Sequence, residues 1–130
     1  MEMRGNLPLA LVFFAAMCNG AINAEKETEI EAIVTAYGPE GGNGDFRTSR
    51  GVDVRRHPHG IASDPKLIPY GSRVSVPGYA LKWANVDDTG AAMRKAGRKG
   101  VVHIDVRFGT EKEAIKWGRQ KLKIKVIYGR

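Results

Sequence analysis

The chain consists largely of short segments rich in β-branched or alternating apolar residues, and glycine and proline turns separate them. Alternation of this kind is typical of strands, because successive side chains point to opposite faces. Pro69-Tyr70-Gly71 and Pro77-Gly78 are turn signals. The predicted strands are 30–37, 61–63, 73–76, 79–86, 101–108 and 121–128. Many short strands joined by such turns favour a barrel or a sandwich, so the predicted fold class is mainly β.

One short helix is predicted between the last two strands. Thr110 is a suitable N-cap, and Glu113 three residues later completes a capping box. The helix should continue to Trp117 and end at Gly118. Segment 38–60 is a long loop of glycine, proline, asparagine and arginine, and compact domains seldom keep such a loop without a use for it. Segment 87–100 is polar, basic and interrupted by glycines.

The N-terminus has the order of a secretory signal peptide. Arg4 precedes the apolar run 7–17, and the small or polar residues 19–24 follow it. The run is shorter than the ~20 residues of a membrane-spanning helix, so we predict no stable membrane insertion. The alternative is a fortuitously apolar N-terminus. We therefore predict a signal peptide over 1–24 and one domain over 25–130, located outside the cell, in the periplasm or in the cell envelope.

The cysteine content bears on whether the domain needs a disulfide, and the charge content limits the classes of binding partner. Cys18 is the only cysteine and lies at the end of the apolar run, where Met17 disfavours acylation, so the domain should need no disulfide. The net charge of +7 suits an anionic polymer, a membrane surface or a nucleic acid. Export makes nucleic acid the least suitable of the three, and we predict no nucleic-acid partner.

Asp105 is the first candidate for chemistry, since no serine–histidine–aspartate set, phosphate loop or metal-ligand spacing is present. Strand 101–108 places Val102, Ile104, Val106 and Phe108 on one face, which should be the core. Asp105 then lies on the outer face between His103 and Arg107. A carboxyl fixed on a strand suits general acid–base catalysis. The alternative, favoured by this strand alone, is a surface carboxylate paired with Arg107.

Asp88 and Asp64 each have a structural explanation when taken alone. Asp88-Thr89-Gly90 forms a tight turn whose carboxylate can accept backbone N–H groups. The same tripeptide occurs in aspartic proteases, but the apolar run that follows it there is missing here. Asp64 precedes Pro65 and is a common turn start. His57 and His59 lack a third ligand nearby, so we predict no metal site and no cofactor.

Several motifs together resemble the 3D domain, a family named for its three aspartates. The resemblance covers about residues 32–128, and Thr35-Ala36-Tyr37 resembles the opening strand of such domains. The matching segments are Ile61-Ala62-Ser63-Asp64-Pro65, Ile68-Pro69-Tyr70-Gly71-Ser72-Arg73-Val74, Val76-Pro77-Gly78-Tyr79, Asp88-Thr89-Gly90, Ile104-Asp105-Val106, Glu113-Ala114 and Trp117-Gly118.

The resemblance implies a six-stranded double-psi β-barrel with a polysaccharide groove and one short helix before the last strand. Related members are murein lytic transglycosylases, in which the third aspartate is the acid–base. The resemblance maps this aspartate to Asp105 and implies that Asp88 and Asp64 line the same site. The expected substrate-binding residues are Tyr37, Tyr70, Thr89, Gly90, His103 and Arg107. The implied partner is a peptidoglycan glycan strand, and the protein should be a monomer.

Two other functions remain open. Some double-psi barrels bind wall glycans without cleaving them, and an exported protein can also act on the wall of another organism. The sequence departs from the family after Gly90, where Ala91-Ala92-Met93-Arg94-Lys95 stands in place of a more glycine-rich stretch. The extra basic residues before Val101 are where substrate choice is expected to differ.

Overall fold

The computed structural model describes residues 25–41 and 44–130, and in it six strands close into a barrel. The predicted signal peptide lies outside the described residues. The strands are β1 Thr28–Tyr37, β2 Ile61–Ser63, β3 Arg73–Ser75, β4 Ala84–Thr89, β5 His103–Arg107 and β6 Gln120–Ile127. The helices are α1 Ala91–Arg98 and α2 Glu111–Trp117, with a 3₁₀ turn at Pro39–Gly41. No helix in the described part of the chain is long and apolar enough to span a membrane.

The strands follow the order β1-β5-β2-β4-β3-β6 around the barrel, and β6 pairs with β1 to close it. Two pairs, β1 with β5 and β2 with β4, are parallel, and the remaining pairs are antiparallel. The strands of a parallel pair need a crossover connection between them: β3 lies between β2 and β4 in the chain, and β2, β3, β4 and α1 lie between β1 and β5. The mainly β, six-stranded barrel predicted from the sequence is confirmed.

The core lies inside the barrel and follows the predicted alternation. Val34 of β1, Ile104 and Val106 of β5, and Ile124 and Val126 of β6 are fully buried. These side chains recur at every second residue of each strand, which is the pattern that sends one face inward. The inward and outward faces of β5 were therefore assigned correctly from the sequence.

The predicted N-cap Thr110 of α2 is confirmed, but the Glu113 carboxylate bonds to the Thr110 hydroxyl and not to the Thr110 backbone N–H as in a capping box. Thr110 Oγ1 accepts a hydrogen bond from the Glu113 backbone N–H at 3.1 Å, and the same hydroxyl donates to the Glu113 carboxylate at 3.0 Å. Gly118 ends the helix with a φ of 71°, a conformation that favours glycine. Helix α2 packs Ala114 inward against the barrel.

Two local predictions differ from the structure. The fourth strand begins at Ala84 instead of residue 79, because Tyr79 turns into an aromatic cluster with Phe108 and Trp117. The hydroxyl of Tyr79 there bonds to the backbone of Gly60 and Arg107. Helix α1 was not predicted, so the barrel carries two short helices instead of one. This helix buries only Met93, and one buried side chain leaves no periodic apolar signal.

Candidate functional site

Four residues form a row across four neighbouring strands on the outside of the barrel. Thr35 pairs in register with Asp105, Asp105 with Ala62, and Ala62 with Asp88. Residues in register across a sheet project from the same face. Asp105 lies between the fully buried Ile104 and Val106 on its strand, so the row faces outward. Two aspartates therefore flank one alanine, which is itself buried.

A β-bulge at Asp87 places Asp88 in this row. On β2, Ile61 and Ala62 are consecutive, but their partners on β4 are Val86 and Asp88. Asp87 is thus the extra residue of the bulge. Without it, Asp88 would follow Val86 at the strand period of two and would face the core beside that buried valine. The bulge therefore turns the Asp88 carboxylate outward, toward Asp105.

Asp105 is half-buried and has an altered acidity. Burial raises the pKa of Asp105 to about 6, the negative charge of Asp88 adds to the rise, and the hydrogen bond from Thr35 partly opposes it. The Thr35 hydroxyl donates to Asp105 Oδ1 at 3.1 Å. A carboxyl group with this pKa exchanges protons near neutral pH, as an acid–base catalyst must.

Asp88 is held in one orientation by three donors. Its Oδ1 accepts from the backbone N–H groups of Ser49 and Thr89, each at 2.9 Å, and its Oδ2 accepts from the Tyr37 hydroxyl at 2.9 Å. Burial strongly raises the pKa of Tyr37, so this hydroxyl keeps its proton and remains a donor. The Ser49 contact also ties the 38–60 loop to the site. Asp88 is thus a fixed negative charge beside Asp105.

His103 joins the row through Thr35. Its Nε2 lies 2.8 Å from Thr35 Oγ1, and that hydroxyl has one proton. When Thr35 donates to Asp105, the histidine ring must therefore be the donor to Thr35. Burial lowers the pKa of His103, and the charge of Arg119 lowers it further, which favours the neutral ring. Thr35 is a functional candidate that sequence reasoning missed, because a threonine in a strand carries no signal of its own.

Arg107 does not form the alternative ion pair with Asp105, and its predicted role in substrate binding stays a prediction. Its side chain is 1% exposed, and its guanidinium binds both carboxylate oxygens of Asp87 at 2.8 and 2.9 Å. The same group donates to the Tyr37 hydroxyl at 3.1 Å and to the backbone carbonyls of His57 and His59. Strand alternation placed Arg107 outside the barrel correctly, but the 38–60 loop covers it. Arg107 is consequently a positioning residue that supports Tyr37 and, through it, Asp88.

Asp64 lies apart from the Asp88–Asp105 pair, against helix α1. It is 7% exposed, its Oδ1 accepts from the Lys66 backbone N–H at 3.1 Å, and its carbonyl accepts from Leu67 and Ile68. These bonds make the turn that the Asp64-Pro65 pair indicated. Asp64 follows Ala62 by two residues, which separates them by about 7 Å along the strand. A catalytic role for Asp64 stays a prediction, while its contacts are those of a turn.

Gly97 of α1 makes room for Asp64, and its replacement tests that contact. A Cβ built at Gly97 would lie 1.9 Å from Asp64 Oδ2 and 2.9 Å from its Cγ. Glycine to alanine in a helix normally stabilises by about 1 kcal/mol. Here we expect Gly97→Ala to lower the free energy of unfolding by about 1–3 kcal/mol, because the overpacked carboxylate must leave its turn. Urea denaturation measures the change, and Ala96→Gly serves as the helix-propensity control. A more stable Gly97→Ala variant would contradict this contact.

The remaining predicted substrate-binding residues surround Asp88. Thr89 Oγ1 donates to the Ser63 carbonyl at 2.7 Å and accepts from Arg94, and Gly90 is the N-cap residue of α1. The Tyr70 hydroxyl lies 3.3 Å from Ser49 Oγ, and the Arg50 guanidinium lies 4.8 Å from the centre of its ring. Binding of substrate by these residues stays a prediction.

The comparisons with known proteins agree with this architecture. The family model of the 3D domain matches residues 59–128. The chain is 36% identical over 107 residues to the cell wall-binding protein YocH of Bacillus subtilis, and this match covers 81% of the chain and 34% of YocH. It is 38% identical over 95 residues to the putative cell wall shaping protein YabE of the same organism, covering 72% of the chain and 21% of YabE. The chain thus spans about a third or less of these relatives.

Proposed function

Since this chain belongs to the 3D domain family, we propose that it acts on the bacterial cell wall, as a lytic transglycosylase that cleaves peptidoglycan glycan strands. The bond cleaved joins N-acetylmuramic acid to N-acetylglucosamine. The names of YocH and YabE, which concern wall binding and wall shaping, support a role in the cell envelope. Secretion by the predicted signal peptide would bring the protein to this substrate.

The pairing of Asp105 with Asp88 is the observation that carries the proposal. A lytic transglycosylase needs one group that first gives a proton and then takes one, so its pKa should lie near the working pH. The pKa of about 6 suits Asp105 for both steps. The Asp88 carboxylate lies in the same row, held by its three donors, where it can stabilise positive charge that develops on the sugar ring.

The reaction needs no water molecule. Protonated Asp105 gives its proton to the glycosidic oxygen as the bond from that oxygen to the muramyl C1 breaks. The resulting Asp105 carboxylate then takes the proton of the muramyl 6-hydroxyl, whose oxygen bonds to C1 and closes a 1,6-anhydro ring. Asp105 ends protonated, as it began. Ordinary glycosidases divide these tasks between two carboxyl groups.

The surface charge supports binding to an anionic wall polymer. Helix α1 begins three residues after Asp88, and its basic residues Arg94, Lys95 and Arg98 are exposed, as is its C-cap residue Lys99. Segment 89–104 contains no acidic residue, and the chain carries a net charge of +7. These cations would attract the carboxylates of peptidoglycan stem peptides toward the site.

The products of digestion test the proposal. Purified protein is incubated with intact sacculi, and the soluble muropeptides are separated and identified by mass spectrometry. Anhydro-muropeptides are expected, whereas products with reducing ends would indicate hydrolysis. If neither class appears although the protein sediments with sacculi, the function is that of a wall-binding module. The similarity to the cell wall-binding protein YocH favours this second candidate.

The pH dependence of cleavage should report Asp105. The acid must start protonated, so kcat/KM should fall as the pH rises through about 6. Thr35→Val removes the hydrogen bond that lowers the pKa of Asp105, so this falling limb should move to higher pH. Thr35→Ser keeps a hydroxyl and should leave the limb in place. Initial rates of muropeptide release between pH 4 and pH 9 measure both variants. A falling limb at the same pH in Thr35→Val and Thr35→Ser would show that the Thr35 hydrogen bond does not lower the pKa of Asp105.

A further inference from the structure

A cavity of about 380 Å³ opens beside the barrel, apart from the Asp88–Asp105 pair. Trp83 and Leu81 contribute apolar surface to it, and Asn85, Arg56 and Asp87 contribute polar groups. Its volume lies at the lower end of the range for small-molecule sites, and an apolar wall with a few polar groups is their usual composition. We call it the Trp83 cavity.

Trp83 differs from the other large aromatic residues near it. Tyr79, Phe108 and Trp117 pack edge to face or tilted against one another, with ring centres 5.4 to 6.2 Å apart. All three belong to or pack against the barrel core, whereas Trp83 does not. A half-buried tryptophan that contributes to a cavity instead of the core is available to a ligand.

The cavity and the carboxyl pair lie on the same outward face of β4. Asn85 is exposed between buried Ala84 and Val86, so it faces outward, and the bulge turns Asp88 outward too. Asp88 lies three positions after Asn85, which is about 10 Å along a strand. An extended polymer lying along β4 can therefore contact both places.

The bulge also connects the two places by direct contacts. Asp87 lines the cavity and binds Arg107, Arg107 donates to the Tyr37 hydroxyl, and Tyr37 donates to Asp88. Because Arg107 pairs with Asp87, the carboxylate in the cavity wall is neutralised, and an acidic or neutral ligand meets no net repulsion there.

We propose that the Trp83 cavity is a remote saccharide subsite, which holds an N-acetylated sugar ring of the glycan strand that extends to Asp105. The C–H face of a pyranose packs on an indole ring, and the Asn85 side-chain amide can bond to hydroxyl or acetamido groups. Arg56 is exposed at the edge of the cavity, where its guanidinium can donate to the carbonyl oxygen of an acetamido or lactyl amide group. This inference rests on the proposed function, since it names a second contact for the same polymer.

Tryptophan fluorescence tests the cavity without relying on cleavage. Trp117→Phe leaves Trp83 as the only tryptophan. Titration with triacetylchitotriose, a soluble oligomer of N-acetylglucosamine, should shift its emission saturably. The matched variant Trp83→Phe retains Trp117 alone and should show no shift. An unchanged Trp83 emission would overturn the proposal.

Binding to the natural polymer tests it independently. Trp83→Ala should weaken sedimentation with sacculi about tenfold, which is about 1.4 kcal/mol, and should raise KM to a similar extent. Ile115→Ala, an exposed apolar residue on α2, is the control and should change neither. The loss should persist on glycan strands stripped of stem peptides by an amidase. Equal binding of wild type and Trp83→Ala, or a difference that vanishes on stripped strands, would overturn the saccharide subsite.

The outcomes separate this inference from the proposed function. A protein that yields no anhydro-muropeptides but whose Trp83 emission responds to triacetylchitotriose lacks the proposed activity and keeps the subsite. A protein that cleaves sacculi equally well with tryptophan or alanine at position 83 has the activity and lacks the subsite.

Discussion

Asp105→Asn should abolish the release of anhydro-muropeptides, with a fall in rate of about 1000-fold or more. General acid–base groups contribute about 10²–10⁴-fold, and here one group performs both proton transfers. Asparagine fills the same space beside Thr35 but cannot give or take the proton. Initial rates of muropeptide release from sacculi, followed by mass spectrometry, measure the effect. Retention of more than a tenth of the wild-type rate would exclude Asp105 as the acid–base.

The stability of the same variant supplies the control for folding. The pKa of Asp105 rises from an ordinary 3.8 to about 6, so the native state binds the proton more tightly than the unfolded state. This contribution to stability is complete below pH 3.8 and is lost as the pH rises through about 6. Asp105→Asn has no such contribution to lose. The free energy of unfolding of the variant, relative to that of wild type, should therefore rise by about 2–3 kcal/mol from pH 4 to pH 8. Urea denaturation at both pH values checks the gain, and sedimentation with sacculi should be retained.

Asp87→Ala should be the most destabilising of the substitutions considered, at about 3–5 kcal/mol. It removes the carboxylate that pairs with a guanidinium 1% exposed, and an uncompensated buried charge has a cost of this size. Loss of the pair should also free Tyr37 and, with it, the orientation of Asp88. Urea denaturation at neutral pH measures the free energy of unfolding.

Two comparisons sharpen this second prediction. Asp53→Ala removes an exposed ion pair with Arg55 and should change stability little. The double variant Asp87→Leu with Arg107→Met removes both charges and should recover much of the loss, because no buried charge then lacks a partner. If Asp87→Ala costs no more than Asp53→Ala, the Arg107–Asp87 pair does not support the site.

The features of the fold that could be predicted from the sequence are those that depend on local residue patterns. Alternation in 101–108 gave the inward set Ile104 and Val106, and the spacing of Thr110 and Glu113 gave the helix cap. Helix α1 was not predicted because its stability comes from one buried methionine and from contact with the barrel, not from an apolar stripe. Tyr79 was assigned to a strand because residues 79–86 have strand composition, whereas its hydroxyl bonds to backbone groups distant in the chain.

The candidate site also has features that the sequence predicted and features that depend on tertiary contacts. Asp105 could be placed on the outer face from its own strand, and the order of the aspartates indicated a family. The altered acidity of Asp105 could not be read from the chain, because it depends on burial and on Asp88, which lies 17 positions earlier. Asp64 showed the same motif-level signal as Asp88 but packs against Gly97 instead of joining the pair. The motifs thus identify the three aspartates but do not show which of them lie together in the folded protein.

Local order in the chain was enough to establish the mainly β class, the inward face of β5, the helix cap and Asp105 as the leading candidate for chemistry. These features depend on residues within a few positions of one another, where strand and helix periods act. The bulge at Asp87, the burial of Arg107 under the 38–60 loop and the meeting of Asp88 with Asp105 depend on register between strands distant in sequence. Register shifts of one residue exchange the two faces of a strand, so folding of the whole barrel decides which carboxyl groups share a site.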